Sequence, residues 1–355
     1  MRFLGLRLLP AVRRVSSLLL LPLSAVPLLV ALPLALATYH RYVRYYSLSP
    51  LAAPTSVISD AERRQFEPLA DYTDAIPVLV YHGINDHDDG YSVSQRRFAA
   101  QMQMLKVAGF HTVSIAQYAR FQDGDTTGLP TRPILITFDD GRLDSFRGAD
   151  RVLAEYGFRA TMFVITGQII DRNPSYLSWA ELHRMISSGR WDVQPHAYRG
   201  HVRVVIDARG DERPFYAVRR YLRSTGEESF AAYQRRVAGD LFTLAAQFQE
   251  QGIPVDSIAV PYGDYGQQDA GNDPRIAPFL LSLMRSQFGS VFVQDDGDDP
   301  PYTTPTAGGP QDRWVARTSS TTEQLYDWLS AQDPASPQPA PQPPAPILRH
   351  NYPPE

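Results

Sequence analysis

"PILITFDDG", residues 133–141, decides the fold. Six apolar or β-branched residues, Pro133 to Phe138, run without a charge and stop at two adjacent carboxylates and a glycine. A run that short and that continuous is a strand buried on both faces, as in a parallel sheet. The carboxylates raise the second question. A buried carboxylate is costly unless something pairs with it. Two side by side repel, unless a cation sits between them or they do different jobs.

Working outward, the same pattern recurs. "IPVLVY" (76–81), "HTVSI" (111–115), "ATMFVI" (160–165), "WDVQ" (191–194), "SIAVP" (257–261) and "SVFV" (290–293) are further strand candidates. Between several of them lie helical patterns closed by glycine: "SQRRFAAQMQMLKVAG", "SFRGADRVLAEYG", "SWAELHRMISSG" and "SFAAYQRRVAGDLFTLAAQFQEQG". Strand–helix alternation predicts an α/β fold with a parallel sheet and crossover helices, open or closed into a barrel. No internal repeat is evident.

The flanks differ in character. Leu18 to Ala37 is uncharged and rich in Leu, Ala and Val, within a segment 17–38. Its length suits a transmembrane helix. Arg2, Arg7, Arg13 and Arg14 precede it in segment 1–16, against Arg41 and Arg44 after it. The bias predicts a single-pass anchor in a bacterial cell membrane with an extracytoplasmic domain. The alternative is secretion after signal cleavage near Ala37, where Ala35-Leu36-Ala37 has the small residues such a site needs. Residues 39–74 form a linker, 75–330 one folded domain, and 331–355 a proline-rich tail expected to be disordered.

Composition narrows the chemistry. In 355 residues the net charge is -4, so no basic field points to nucleic acid. Cysteine is absent, which excludes disulfides and thiolate ligands. A metal must then be held by His, Asp or Glu. Lys106 is the only lysine, a coding bias rather than a functional signal.

In such folds the active site lies at the C-terminal ends of the strands. His82 follows the first strand. Asp139, Asp140 and Gly141 follow "PILITF". His196 and His201 follow "WDVQP", and Pro261, Tyr262 and Gly263 follow "SIAV". Each has an ordinary structural explanation when taken alone: Asp-Gly is a turn or cap, and Pro-Tyr-Gly is a turn. "NDHDDG" (85–90) is expected to be a solvated loop and His183 a plain helix residue. Together the strand-end residues are harder to set aside. His196 and His201 are five apart, a poor spacing on a helix. On a loop, with Gly200 between them, both can turn inward. Two His and one Asp suit Zn²⁺ with positions left for water and substrate. One aspartate then binds the metal and the other does not, since successive residues of an extended chain point apart.

At these residues the chain resembles the polysaccharide deacetylase family, the NodB-homology carbohydrate esterases. "TFDDG" (137–141) is similar to that family's first motif, "HAYRGH" (196–201) to its His motif and "PYG" (261–263) to its third. "VLVYHGI" (78–84) and the longer His spacing are closer to the poly-β-1,6-N-acetylglucosamine deacetylase branch. The resemblance spans about 76 to 320. It implies a distorted (β/α) barrel and one divalent metal, Zn²⁺ by donor type, on Asp140, His196 and His201. Asp139 would be the general base, His82 the general acid, and the Tyr262 backbone N–H an oxyanion donor. Pro261, Tyr262 and Gly263 would line the substrate site. The implied activity is hydrolysis of N-acetyl groups, linear amide bonds, on an extracytoplasmic N-acetylglucosamine polymer. The alternatives are an O-acetyl esterase and a non-catalytic glycan-binding protein on the same fold. The chain departs from the family in three places. Ala197 stands where many members have Ser or Thr. Ala259 stands where many have an Arg that pairs with the base. The one "L-x-H" stretch, 348–350, lies in the tail. The roomy stretch from His201 to Pro261 contains "YAVRRYLRSTGEESF", expected to present a solvated helix face, the alternative being that its arginines steer an anionic polymer.

Overall fold

The computed structural model describes residues 29–38, 74–294 and 309–331, with isolated positions 66, 69, 71, 302 and 303. The chain divides into two units, Met1–Ser49 and Pro50–Glu355. In the first, residues 29–38 form an exposed helix that ends with Thr38 Oγ1 donating to the Leu34 carbonyl at 2.8 Å. No helix among the described residues is long and apolar enough to cross a membrane. Most of the expected anchor, nearly all of the linker and the proline-rich tail past Ala331 lie outside the described residues.

In the second unit, β1 (Ile76–Tyr81), β3 (Pro133–Phe138) and β4 (Ala160–Ile165) match the expected strands residue for residue, and every residue in them is buried. They pair in parallel with β5 (Trp191–Ala197), in the order β1-β3-β4-β5. The parallel pair β10 (Ser257–Ala259) and β11 (Ser290–Phe292) continues the arc. Two seams close it into a ring. At one, Gln194 spans from β5 to the β10 side, donating to the Pro254 carbonyl at 3.0 Å and accepting from the Asp256 and Ser257 amides at 2.9 and 3.0 Å. At the other, β12 (Tyr302–Thr303) pairs antiparallel with β1, and Gln311 pairs by its backbone with Val291 and Val293 at 2.7 and 2.9 Å and leads into β13 (Trp314–Val315), parallel to β1. A side chain replaces a full ladder at the first seam, so the barrel is distorted rather than regular. Ile76, Val78, Leu135, Phe163, Ala259 and Phe292 meet in one buried cluster.

Helices α1 (Gln95–Val107), α3 (Leu143–Tyr156), α5 (Trp179–Ser187) and α6 (Phe230–Gln251) fall where the periodicity predicts. Ser94, Ser178 and Ser229 cap three of them, and Gly157 and Gly252 end two in left-handed backbone. Four further helices were not anticipated: α2 (Ile115–Gln122), α4 (Thr166–Ile170), α7 (Ile276–Phe288) and α8 (Thr322–Ala331). The expected strand 111–115 shrinks to β2 (His111–Thr112), because Ser114 forms a capping box with Gln117 and starts α2. The expected solvated helix 216–230 is not one. It holds the short hairpin β8 (Tyr221–Leu222) and β9 (Gly226–Glu227), with Gly226 at φ +79°, and α6 begins only after Ser229. A second hairpin, β6 (Arg203–Val205) and β7 (Glu212–Pro214), precedes it.

Candidate active site

All four expected strand ends arrive on one rim. Asp139 leaves β3 with its amide bonded to the Tyr81 carbonyl at 3.0 Å, so the end of β1 sets its position. The chain then turns sharply. Asp140 has φ +73° and Gly141 φ +78°. Left-handed backbone at a residue with a side chain is uncommon. It divides the two carboxylates, which corrects the expectation that an extended chain would do so. The Asp140 carbonyl accepts from the Ile165 amide at 3.2 Å, and the Gly141 carbonyl from the Leu177 amide at 2.9 Å.

The two aspartates have opposite surroundings. Asp139 is fully buried and gripped by Arg313: Nη1 to Oδ1 at 2.8 Å and Nη2 to Oδ2 at 2.7 Å. Gln294 Nε2 donates to the same Oδ2 at 2.9 Å and lies 3.4 Å from His82 Nε2. Oδ1 keeps capacity for one more donor. Burial alone would raise the Asp139 pKa, but Arg313 outweighs it and holds the carboxyl below its ordinary range. Arg313 also has no exposed side-chain surface. Its Nε donates to the Val293 carbonyl at 3.2 Å, and its guanidinium lies over the Phe163 and Phe292 rings.

Asp140 Oδ1 is buried and has no hydrogen-bond partner. His196 Nε2 and His201 Nε2 stand 3.5 and 3.4 Å from it. The three ligand atoms lie within 4.8 Å of one another, the one such cluster among the described residues. Donors on a tetrahedral ion with bonds of about 2.0–2.1 Å stand about 3.3 Å apart, so this set fits a divalent metal. Burial opposes charge on Asp140, yet His196, His201 and His82 together prevail and its pKa is depressed. Burial pushes His201 down to about 4, leaving it neutral and able to ligate at physiological pH.

His196 was expected on a loop and instead lies inside β5. It is the extra residue of a bulge: Val164 pairs with Pro195 and Ile165 with Ala197. Bulges re-aim side chains beside active sites. Its Nδ1 bonds the Ala259 carbonyl at 2.8 Å, which fixes the tautomer and leaves Nε2 facing Asp140. His201 does lie on the following loop. Its ring packs on Tyr262 at 4.5 Å between centroids and on His196 at 5.2 Å. Tyr262 is half-buried with φ +62°, while Pro261 and Gly263 are buried beneath it. Gly263, at φ +74°, closes onto the Gln294 backbone, where a Cβ would overlap the carbonyl.

His82 sits across from the metal cluster. Its Nδ1 is buried without a partner and its ring faces Tyr91, which Arg317 covers at 4.4 Å. Desolvation lowers its pKa, only partly offset by Asp140 and Asp139. The acidic loop behaves as expected: Asp86, His87 and Asp88 are exposed, and Asp89 accepts from Tyr91 and Ser92. His183 is an exposed helix residue bonded to Gln251 at 3.1 Å. Two polar groups of this site were not foreseen, Arg313 and Gln294. The guanidinium missing at Ala259 is supplied instead by Arg313, just before the strand Trp314–Val315 and 174 residues away from Asp139 in sequence. The departure at Ala259 was the available signal, since a buried base without its cation demands one from elsewhere.

A family model described as polysaccharide deacetylase matches residues 127–236. The poly-beta-1,6-N-acetyl-D-glucosamine N-deacetylase of Staphylococcus epidermidis is 30% identical over 114 residues, 31% of this chain and 39% of that protein. The matched stretch thus covers well under half of that curated relative. Among solved structures, a de-N-acetylase from Aggregatibacter actinomycetemcomitans matches with TM-score 0.62 and 18% identity, over 72% of this chain and 100% of that one. IcaB from Ammonifex degensii matches with TM-score 0.55 and 25% identity, over 73% and 98%. The first likeness, at 18% identity, speaks to the fold.

Proposed function

We propose that this chain, which carries a polysaccharide deacetylase domain, is a metal-dependent hydrolase that removes N-acetyl groups from an N-acetylglucosamine polymer. One observation carries the reading. Of two adjacent aspartates, one is gripped by Arg313 and Gln294, with room at Oδ1 for one more donor, and the other is left bare beside two imidazole nitrogens. Pure binding has no use for that division.

Asp140, His196 and His201 would hold the metal, with Zn²⁺ the ion their donor set suits. When bound, it would polarise an acetyl carbonyl and make a water more acidic. The remaining roles belong to the chain. Asp139, kept ionised by Arg313, takes the proton of the attacking water through the free capacity of Oδ1. Its depressed pKa makes it a weak base, adequate for an acidified water. The Tyr262 N–H donates to the oxygen that becomes negative in the tetrahedral state. His82 delivers a proton to the departing amine, which an amide requires because an amide anion leaves poorly. Gln294 contacts Asp139 and approaches His82, and so holds base and acid at a set separation.

The substrate polymer is inferred from the Staphylococcus epidermidis relative and from the His82 position. Export rests on the arginine bias and apolar run of the first 44 residues. Protease added to intact cells tests it. For the activity, the experiment is acetate release from β-1,6-linked N-acetylglucosamine oligomers and from an O-acetylated glycan, before and after chelation and after Zn²⁺ return. Release from the N-acetyl substrate that is lost on chelation and restored by Zn²⁺ is expected. Release from the ester alone would make the chain an O-acetyl esterase.

A further inference from the structure

The long stretch between His201 and Pro261 contacts the His-bearing loop through Asp240 and Tyr216. Asp240, on α6, is a carboxylate with 8% exposure. Its Oδ1 accepts from the Arg199 amide at 2.8 Å and its Oδ2 from the Tyr198 amide at 3.2 Å. The Tyr216 hydroxyl donates to the same Oδ2. The loop is held from the other side as well. The Tyr198 carbonyl accepts from the Gly167 amide at 2.9 Å, and the Ala197 carbonyl from Thr166 Oγ1 at 3.4 Å. Gly200 lies against the Tyr216 ring, where any Cβ would overlap it. Tyr216 is itself anchored to α6: Tyr233 Oη donates to its carbonyl at 2.6 Å, and Arg236 donates to the Phe215 and Val218 carbonyls at 2.8 and 2.9 Å. Glu228 pairs with Arg236 at 2.8 Å.

We propose that Asp240 is a positioning residue for the metal site, setting the conformation of the Ala197–His201 loop so that His201 meets Asp140 and His196. This rests on the metal reading given above. His196 is fixed by a strand and by the Ala259 carbonyl, whereas the backbone of His201 is held by its loop and its ring only by packing on Tyr262 and His196. Without the brace, the loop must be ordered at the moment of metal binding, and affinity falls. Three donors converge on Asp240, and a carboxylate, which only accepts, meets all of them. In Asp240→Asn the Nδ2 group faces either the Arg199 amide or the Tyr198 amide, donor against donor, and only the Tyr216 hydroxyl can turn to accept. Tyr216→Phe removes one donor and leaves both backbone bonds.

The test is Zn²⁺ affinity of the whole chain, measured by competition with a chromophoric chelator, alongside thermal melting of the metal-free protein. Asp240→Asn should weaken Zn²⁺ binding about 10–100-fold, the range for groups that support metal ligands. Tyr216→Phe should weaken it less, and turnover of Asp240→Asn should return at saturating Zn²⁺. Asp150→Asn is the control. That buried carboxylate accepts from Trp191 Nε1 at 2.8 Å elsewhere in the domain, so its loss should lower the melting temperature and spare the affinity. Unchanged affinity in Asp240→Asn, or an equal loss in Asp150→Asn, overturns the proposal. Should Asp240→Asn not fold, unchanged affinity in Tyr216→Phe overturns it. His196→Ala separates the two levels. If it still binds Zn²⁺, the metal reading is at fault; if it does not and Asp240→Asn does, only the brace is wrong.

Discussion

The rim of the barrel has two halves built on different terms. The acid–base half, around Asp139 and His82, is already partnered: the Asp139 carboxylate is gripped by a two-pronged arginine and an amide, with no exposed side-chain surface in the ion pair. The metal half, around Asp140, is open: its Oδ1 has no partner, and two imidazole nitrogens stand 3.4 and 3.5 Å away, too far for good hydrogen bonds. The two aspartates are neighbours in one strand end, so residue type cannot account for the contrast. What faces each one does. Fixed charge around a base keeps it ionised and aimed. Unmet valence around a ligand is what a cation can fill. The supports differ too: a strap from Gln311 to Ser320 holds the first half, and α6 with its preceding hairpins holds the second.

If the halves are separate, mutations should fall into two classes. The largest effect is expected at Asp139. Asp139→Asn should bind metal normally and lose about 10²–10⁴-fold in turnover, while His196→Ala should lose the metal. Zinc content by elemental analysis decides, and an Asp139→Asn protein without metal would break the comparison.

Arg313→Met should come next. Removing one partner of a buried ion pair costs about 3–5 kcal/mol, which denaturant unfolding reads directly. It also has a pH signature. With Arg313 gone, burial of Asp139 is opposed only by His196 and His82, and its pKa should rise. The base must be ionised, so the acid limb of kcat/KM should move to higher pH. An unmoved limb would mean Arg313 has no hold on the base.

A smaller, selective effect is expected for His82→Asn. The N-acetyl substrate should lose about 10²-fold or more, and an O-acetyl analogue distinctly less, since an alkoxide leaves with less help than an amine. Equal losses would place His82 outside proton delivery.

The smallest effect belongs to the metal half without its metal. Burial lowers His201 from 6.5 to about 4 in the folded domain. The unfolded chain therefore binds the extra proton between those values. The stability tied to neutral His201 is whole above pH 6.5 and is lost as pH falls toward 4. Melting of the metal-free His201→Gln variant should be flatter than wild type over that window.

Legibility tracked locality. β1, β3 and β4 could be read to the residue because strands buried on both faces leave uninterrupted apolar runs. "HTVSI" misled because the same β-branched letters flank a serine that caps a helix. "YAVRRYLRSTGEESF" misled because its arginines, spaced as on a solvated helix face, are used to bind carbonyls and carboxylates: Arg219 pairs with Glu227 and Asp273, and Arg220 with Glu228. His196 sits in a bulge that no sequence period marks, since one extra residue in a strand leaves the letters on either side unchanged.

The α/β alternation, the helix stops at Gly157 and Gly252 and the set of groups able to ligate a metal could be read from the order of residues, because burial period, helix termination and donor chemistry act within a few positions along the chain. The division of labour between Asp139 and Asp140 was not. It depends on a left-handed turn at Asp140, on a guanidinium reaching Asp139 from the far end of the domain, and on a helix carboxylate holding the loop before His201. Electrostatic and hydrogen-bond partners act over a few ångströms of space whatever their separation in sequence. Only closing the barrel brings β13 beside β1, and with it Arg313 to Asp139.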